Sequence, residues 1–171
     1  MVYAPAALDE RCSMTTTFVR DNKTTLKAPI NAPLEAVWEL LTTPAGLARW
    51  LPLACRGEIG NGGQFEMIWS ADPGAHDIST HRVTLWEPRK RFGFTWPAVQ
   101  LSFELARQEG IATVKLTCTY MAREAGPDQQ LEELVGWTMH LLTLKSVAEG
   151  GMDLRTPGRT FGWDKGFITG V

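Results

Sequence analysis

The chain has 171 residues, of which 44% are hydrophobic, and this size and composition suit one domain with a substantial apolar core. Its 17 basic and 19 acidic side chains leave a formal charge of −2 without long runs of either sign, so nucleic acid is not expected as a partner. No apolar run approaches the roughly 18 residues of a membrane-spanning helix, and the N-terminus lacks a signal-peptide pattern. Cys12, Cys55 and Cys118 lie far apart and suit free thiols, so we expect a cytoplasmic location without membrane insertion.

The first part of the chain predicts a strand followed by two short helices. Asn31-Ala32-Pro33 and Thr43-Pro44 each place a capping side chain near a proline, which is typical of a helix start. In chain order we predict a tail over 1–14, a β-prone segment over 15–30, a helix over about 33–42, and a second helix that ends near Trp50.

The middle of the chain alternates apolar and polar residues with period two. Gly60-Asn61-Gly62-Gly63 is interpreted as a hairpin turn rather than a phosphate-binding loop, because it opens no helix. Five segments after it share one apolar face without helices between them, which predicts an antiparallel sheet, and Gly93 predicts a bulge or bend that curves it. The apolar positions are Phe65, Met67 and Trp69; His81, Val83 and Leu85; Phe92, Phe94 and Trp96; Leu101, Phe103 and Leu105; and Val114, Leu116, Cys118 and Tyr120.

A long helix is predicted over about 128–149, before Gly150-Gly151, and residues 151–171 are predicted as a tail, so the domain spans 15–150. Thr138 and Lys145 fall near the middle of its apolar arc. Lys145 therefore reaches solvent at the helix end, pairs with a carboxylate, or contacts an anionic ligand, and the first of these is favoured. The arc comprises Leu131, Leu134, Trp137, Leu141, Leu142, Leu144 and Ala148.

Short segments of the sequence carry a family pattern. They are Ala32 to Trp38, Leu40 to Pro44, Leu47 to Trp50, Gly60 to Phe65, Val83 to Trp96, and Gly136-Trp137. In this order they resemble the activator-of-heat-shock-protein-90-ATPase-like branch of the START and birch-pollen-allergen superfamily, over about residues 24–149. The resemblance implies an α+β helix-grip fold, in which a curved antiparallel sheet of six to seven strands wraps around a long C-terminal helix. It also implies a cavity between sheet and helix, which relatives use for lipids, aromatic polyketides or plant hormones, while others bind a chaperone.

The sequence contains no pattern typical of catalysis or metal binding. A Gly-x-Ser-x-Gly nucleophile motif is absent, and His76, His81 and His140 form neither an i,i+4 pair nor a ligand set with a cysteine. We therefore expect no catalytic residues, no metal and no cofactor, and we do not expect an enzyme.

The seven tryptophans and the aromatic stripe suit a packed core and a pocket wall about equally. If a pocket is open, we expect it beneath the long helix. Its predicted lining is Trp50, Phe65, Met67, Trp69, His81, Val83, Phe94, Trp96, Phe103, Trp137, Thr138, Leu141 and Lys145.

These features favour a non-enzymatic carrier or sensor of a small apolar or aromatic molecule, which would be anionic if Lys145 contacts it. One alternative is a protein-interaction module that stimulates an ATPase partner, as the family's chaperone co-activators do. A second alternative is a cyclase for aromatic polyketides, with His81 or Glu66 as acid or base, although strand alternation turns Glu66 outward. The oligomeric state stays open, and a homodimer is compatible with the sequence.

Overall fold

The computed structural model describes residues 19–20, 22–70, 77–108, 111–121 and 127–155. The elements in chain order are β1 (Val19–Arg20), β2 (Lys23–Ile30), α1 (Leu34–Thr42), α2 (Pro44–Leu47), β3 (Ala54–Gly57), β4 (Gln64–Ile68), β5 (Ile78–Glu87), β6 (Arg91–Trp96), β7 (Val99–Gln108), β8 (Ile111–Tyr120) and α3 (Pro127–Ala148). The predicted tail over 1–14 lies outside the described residues, as does the predicted tail over 151–171 beyond residue 155.

The strands form one antiparallel sheet in the order β1-β2-β8-β7-β6-β5-β4-β3. The six strands β3 to β8 follow one another as a meander, and β2 pairs with β8 over its whole length, from Lys23 opposite Thr119 to Ile30 opposite Ala112. The long helix follows the last strand. The predicted helix-grip fold is confirmed, with two short strands, β1 and β3, that the alternation pattern does not reveal.

A register shift bends the sheet between β5 and β6. Val83 lies opposite Phe94 and Leu85 lies opposite Gly93, so Thr84 is the extra residue on β5. A Cβ at Gly93 would lie 2.7 Å from the backbone oxygen of Leu101, which no side chain allows. The irregularity predicted at Gly93 is confirmed, and the glycine lets the neighbouring backbones approach each other where the strand bends.

The two short helices close one end of the sheet over an apolar core. The Thr43 hydroxyl caps α2 by accepting the Gly46 amide at 2.9 Å, as the Thr-Pro sequence predicts. Trp50, which follows α2, is fully buried, its ring lies edge-on to Phe103 at 6.2 Å, and its indole N–H donates to the Leu40 carbonyl at 2.9 Å. Burying the large ring costs little, because its one polar atom is bonded.

The buried face of α3 differs from the predicted arc. Its buried side chains are Trp137, His140, Leu141, Thr143, Leu144 and Val147. By contrast, Leu131 is 59% exposed, Leu142 is 46% exposed, and Thr138 is exposed, so its predicted place at the centre of the inward face is wrong. Trp137, Leu141 and Leu144 of the predicted arc are buried, so the prediction was right for these residues, but apolar residues lie on both sides of this helix and the period alone also placed Leu131 and Leu142 inward.

Although α3 has 22 residues, neither it nor any other helix in the described part of the chain is long and apolar enough to span a membrane. Charged and polar side chains recur along it, including Glu132, Glu133, His140 and Lys145.

Candidate functional site

Buried polar groups gather where Trp137 of α3 meets Trp96 of β6. A continuous chain of pairwise contacts joins the seven side chains that form this polar aromatic end: Trp69, Ser79, His81, Trp96, Glu133, Trp137 and His140. Its centre is Trp96, whose ring meets Trp69 at 5.7 Å and Trp137 at 5.1 Å, both at steep angles. Edge-to-face packing of this kind is favoured between aromatic rings.

His81 is fixed in one tautomer at this end. Its Nδ1 lies 2.7 Å from the Thr95 carbonyl oxygen, which only accepts, so Nδ1 carries the proton. Nε2 therefore accepts from the Ser79 hydroxyl at 2.7 Å, and the Trp69 indole donates to that hydroxyl at 2.7 Å. Burial lowers the pKa of His81, although the bond to Thr95 opposes this shift, so the imidazole is neutral near pH 7.

His81 and Glu66 are the acid or base residues that the cyclase alternative names. Both nitrogens of His81 are engaged within the protein, and its ring stacks on Trp96 at 5.3 Å. Glu66 points outward, as predicted, and receives the Arg56 side chain at 2.6 Å. Neither residue presents a free acid or base to the interior, so the structure gives no support to the cyclase alternative through them.

Glu133 is the carboxylate at the polar aromatic end. Its Oε2 accepts the Trp137 indole N–H at 3.1 Å, and its side chain is half-buried. Burial raises its pKa, the bond to Trp137 opposes the rise, and the neighbouring Glu132 adds to it. Burial also raises the pKa values of Cys118 and Tyr120, and in both cases the charge of Glu133 adds to the rise. The carboxylate is therefore close enough to β8 to act on these two groups, and its bond to the buried Trp137 places it beside the inward face of the helix.

His140 lies one turn of α3 beyond Trp137, and its ring contacts that indole at 5.3 Å. Only 2% of the residue is exposed, and burial, with the nearby Arg155 charge, lowers the pKa of His140 to about 3. Arg155 donates to the backbone oxygens of Ala48 at 2.9 Å and Pro52 at 2.5 Å. Residues up to 155 are thus tied to the segment after α2, although the sequence predicts a tail from residue 151.

The structure separates the predicted lining residues into three groups. Trp69, His81, Trp96 and Trp137 meet at the polar aromatic end, where only Trp96 is partly exposed, and their rings also touch Phe94 and Phe103 of the adjoining core. The other buried lining residues lie in that core: Trp50, Phe65, Met67, Val83, Phe94, Phe103 and Leu141. Ring contacts of 5.4 to 6.2 Å join Phe65, Phe94, Phe92, Phe103 and Trp50. Side chains therefore occupy this deeper part of the predicted lining, as the packed-core interpretation expects.

Thr138 and Lys145 form the third group, away from the interior. The Thr138 hydroxyl donates to the Leu134 carbonyl at 2.7 Å, within its own helix. The Lys145 ammonium donates to the Pro29 carbonyl at 2.8 Å and pairs with Glu149. Pairing with a carboxylate, one of the three alternatives for Lys145, is the one observed, so this cation does not face the polar aromatic end.

Three members of this end were missed by the sequence reasoning: Ser79, Glu133 and His140. For α3 a signal was present, because Glu133, Trp137 and His140 lie at i, i+4 and i+7 and therefore share a face. In the described ranges, no three His, Cys, Asp or Glu side chains lie close enough together to hold a metal ion.

An outer groove lies between α1, α2 and the C-terminal end of α3. It has a volume of about 390 Å³ and is lined by Ala36, Glu39, Leu40, Ala45, Gly46, Arg49, Val147, Ala148 and Gly150. Glu39 and Arg49 are exposed residues at its surface. None of the predicted lining residues takes part in this groove.

Solved structures with the same fold are numerous. A protein from Staphylococcus saprophyticus matches with a TM-score of 0.68 and 19% identity, over 78% of this chain and 96% of its own. The Aha1 dimer from Colwellia psychrerythraea matches with a TM-score of 0.63 and 23% identity, over 75% of this chain and 97% of its own. An AHSA1-like protein from Aeromonas hydrophila matches with a TM-score of 0.64 and 23% identity, over 75% and 92%.

None of the curated proteins matches the sequence. The profile of the family described as Activator of Hsp90 ATPase homolog 1-like protein matches residues 31–149, which is more than half of the chain and runs from the start of α1 to the end of α3. The chain therefore belongs to the Activator of Hsp90 ATPase homolog 1-like family.

Proposed function

We propose that the protein binds a small apolar or aromatic molecule at the polar aromatic end and acts as a carrier or sensor rather than as an enzyme. The family fold supports a ligand-binding or interaction module in general terms. The observation that carries the finer proposal is the meeting of three indole rings with His81 and Glu133 between α3 and the sheet. Small-molecule sites combine apolar and aromatic walls with a few placed polar groups in this way.

The polar aromatic end supports binding better than the deeper core does. Trp96 is partly exposed, whereas Trp50, Phe94 and Phe103 are fully buried against one another. A ligand that stacks on Trp96 extends an existing aromatic surface, whereas one that enters the core must displace packed rings. His81 supports the same interpretation, because its hydrogen bonds hold the ring that stacks on Trp96.

The proposal is tested by titrating the purified protein with 1-naphthylmethanol in a calorimeter, after native mass spectrometry for a co-purified molecule. Trp96→Ala should weaken binding by about tenfold, because stacking of one aromatic ring contributes on the order of 1 kcal/mol beyond its apolar area. Trp86→Ala is the matched control, since Trp86 packs on Trp38 and Phe92 outside the polar aromatic end. Equal losses in both variants, or no binding to the wild-type protein, would contradict the proposal.

A protein-interaction role is the second candidate, and one surface feature favours it. Leu131, Val135 and Leu142 are 59%, 52% and 46% exposed and share the outer face of α3. Exposed apolar side chains in a row along one helix face are typical of a partner surface. The family description points to an Hsp90-type ATPase as the occupant.

This second candidate predicts that the protein raises the ATPase rate of a bacterial Hsp90. Leu131→Glu with Leu142→Glu should abolish the stimulation while naphthylmethanol binding is retained, and Trp96→Ala should do the reverse. If the stimulation is absent in the wild type, the interaction role is rejected. If the charged variant instead converts a dimer to a monomer in sedimentation, the outer face is occupied by a second copy.

A further inference from the structure

The polar aromatic end carries the Glu133 carboxylate, whereas the Arg155 cation beside His140 is paired with Asp153 at 2.6 Å. Glu133 precedes Trp137 by one turn and His140 by two turns, on the inward face of α3. Lys145, the cation that the sequence placed near the middle of this face, instead binds the Pro29 carbonyl and Glu149. The expectation of an anionic ligand, which depended on Lys145, therefore loses its support.

Within the described part of the chain, no ion pair reaches Glu133. Glu132 and Trp137 act on it from its own helix, and its charge raises the pKa values of Cys118 and Tyr120 on β8. The Tyr120 hydroxyl is engaged with the Thr24 hydroxyl at 3.2 Å. None of these groups is a cation. The Trp137 indole N–H supplies one hydrogen bond to a carboxylate that has about four acceptor positions.

We propose that the polar aromatic end selects ligands that carry a positive charge, a protonated amine or a quaternary ammonium, with Glu133 as the counter-charge and the Trp96 and Trp137 rings as the surface for the attached apolar body. This inference rests on the proposed binding function and names the chemical class of its ligand. Indole faces attract cations through the ring quadrupole. A carboxylate beside such faces adds a direct charge pair in a partly desolvated place, where water weakens it less.

An anionic ligand is disfavoured by the same groups. It would meet the Glu133 carboxylate and the negative faces of the indoles, while the neutral His81 offers it no charge and its Nδ1 proton is already donated to Thr95. A neutral ligand gains the apolar contacts alone. The expected order of affinity is therefore cation, then neutral molecule, then anion.

Three probes with the same ring system test this order at pH 7: 1-naphthylmethylammonium, 1-naphthylmethanol and 1-naphthylacetate. The wild-type protein should bind the ammonium probe about tenfold more tightly than the alcohol, a ratio typical of one cation beside a carboxylate and an indole in a partly solvated site. Glu133→Gln keeps the size of the side chain and an acceptor for the Trp137 indole, and it should remove this tenfold preference. Glu132→Gln is the control, because it removes the same charge from the adjacent exposed position.

The outcomes separate the two proposals. If the alcohol binds and Trp96→Ala weakens it, but the ammonium probe has no advantage, ligand binding stands and the cation inference is overturned. The inference is also overturned if Glu132→Gln and Glu133→Gln lower the affinity for the ammonium probe equally, or if naphthylacetate binds best. If none of the three probes binds, both proposals fail.

Discussion

The two ends of the interior are built from similar aromatic residues, but the polar groups beside those residues differ. At the packed end, Trp50, Phe92 and Phe103 are fully buried, and the one polar atom among them bonds to the Leu40 backbone. At the polar aromatic end, comparable rings contact His81, His140 and Glu133, and burial lowers the pKa values of the two histidines and raises that of the glutamate. Aromatic content alone therefore does not distinguish core from site.

The two ends affect the free energy of folding in opposite directions. Burying apolar rings stabilises the fold by roughly 25 cal/mol for each Å² removed from water. Burying ionisable groups opposes folding at any pH where their charged forms would prevail in water. A protein retains such groups at one end for a reason other than packing, and functional sites are where this is expected.

The largest expected loss of stability comes from a substitution at the packed end. Phe103→Ala removes a fully buried ring that contacts Trp50, Phe92 and Trp137, and it should lower the free energy of unfolding by about 3–5 kcal/mol. Trp96→Ala at the other end should cost clearly less, because its ring is partly exposed. Urea denaturation of both variants measures the difference. Equal losses of stability would mean that Trp96 is a core residue.

Acid should destabilise the protein through the two buried histidines of the polar aromatic end. The folded-state pKa of His140, about 3, lies below its ordinary value of 6.5, so the unfolded chain binds a proton first as the pH falls. Stability is present above pH 6.5 and is lost progressively below it, by up to about 1.4 kcal/mol per pH unit. The lowered pKa of His81 acts in the same direction.

The measurement is urea denaturation at several pH values between 7.5 and 5. His140→Phe replaces the imidazole by a ring that does not titrate, so its stability should fall less steeply with pH than that of the wild type. Lys115 and Glu104 form an exposed pair on the outer sheet face, 3.1 Å apart, and Lys115→Met is a control that should keep the wild-type slope. If the stability of His140→Phe fell with pH as steeply as that of the wild type, the lowered pKa of His140 in the folded state would be contradicted.

Glu133→Gln should have a smaller effect and the opposite sign. Its raised pKa means that the folded state favours the protonated carboxyl, and this contribution is lost as the pH rises through the folded-state value. At pH 7 the ionised carboxylate therefore opposes folding, and the amide should raise stability by roughly 0.5 kcal/mol, a small figure because solvent screens the partly exposed charge. At pH 4 the gain should shrink. A loss of stability at pH 7 would indicate that a positive charge compensates Glu133.

The sequence predicted the framework of this interior well, because strand alternation and helix caps are local signals. Phe65, Met67, Phe94 and Phe103 alternate with polar residues, and all are buried in the structure. Gly93 marked the place where the register shifts. These features depend on neighbours within a few positions along the chain.

Which side of α3 faces inward depends on tertiary packing, and there the prediction was partly wrong. Both Leu131 and Glu133 precede Trp137, and hydropathy favoured the leucine, whereas the structure buries the glutamate side and exposes Leu131. Glu133 is accommodated because Trp137 supplies an indole N–H, a pairing that hydropathy does not score. Likewise Ser79 acquires its role only when the Trp69 indole reaches it across the sheet.

Lys145→Met tests whether this lysine lies outside the binding site, and it has the smallest expected effect on stability. The ammonium pairs with Glu149 and donates to the Pro29 carbonyl on the partly exposed flank of the helix. Such pairs contribute at most about 1 kcal/mol, and Glu149 keeps its bond from the Asn31 amide at 2.7 Å. The variant should lose less than about 1 kcal/mol in urea denaturation, and still less in high salt, which screens the pair. Because Lys145 lies outside the polar aromatic end, its loss should change the affinities for naphthylacetate and naphthylmethanol equally. A selective loss of naphthylacetate binding would indicate that Lys145 belongs to the binding site and that the ligand is anionic.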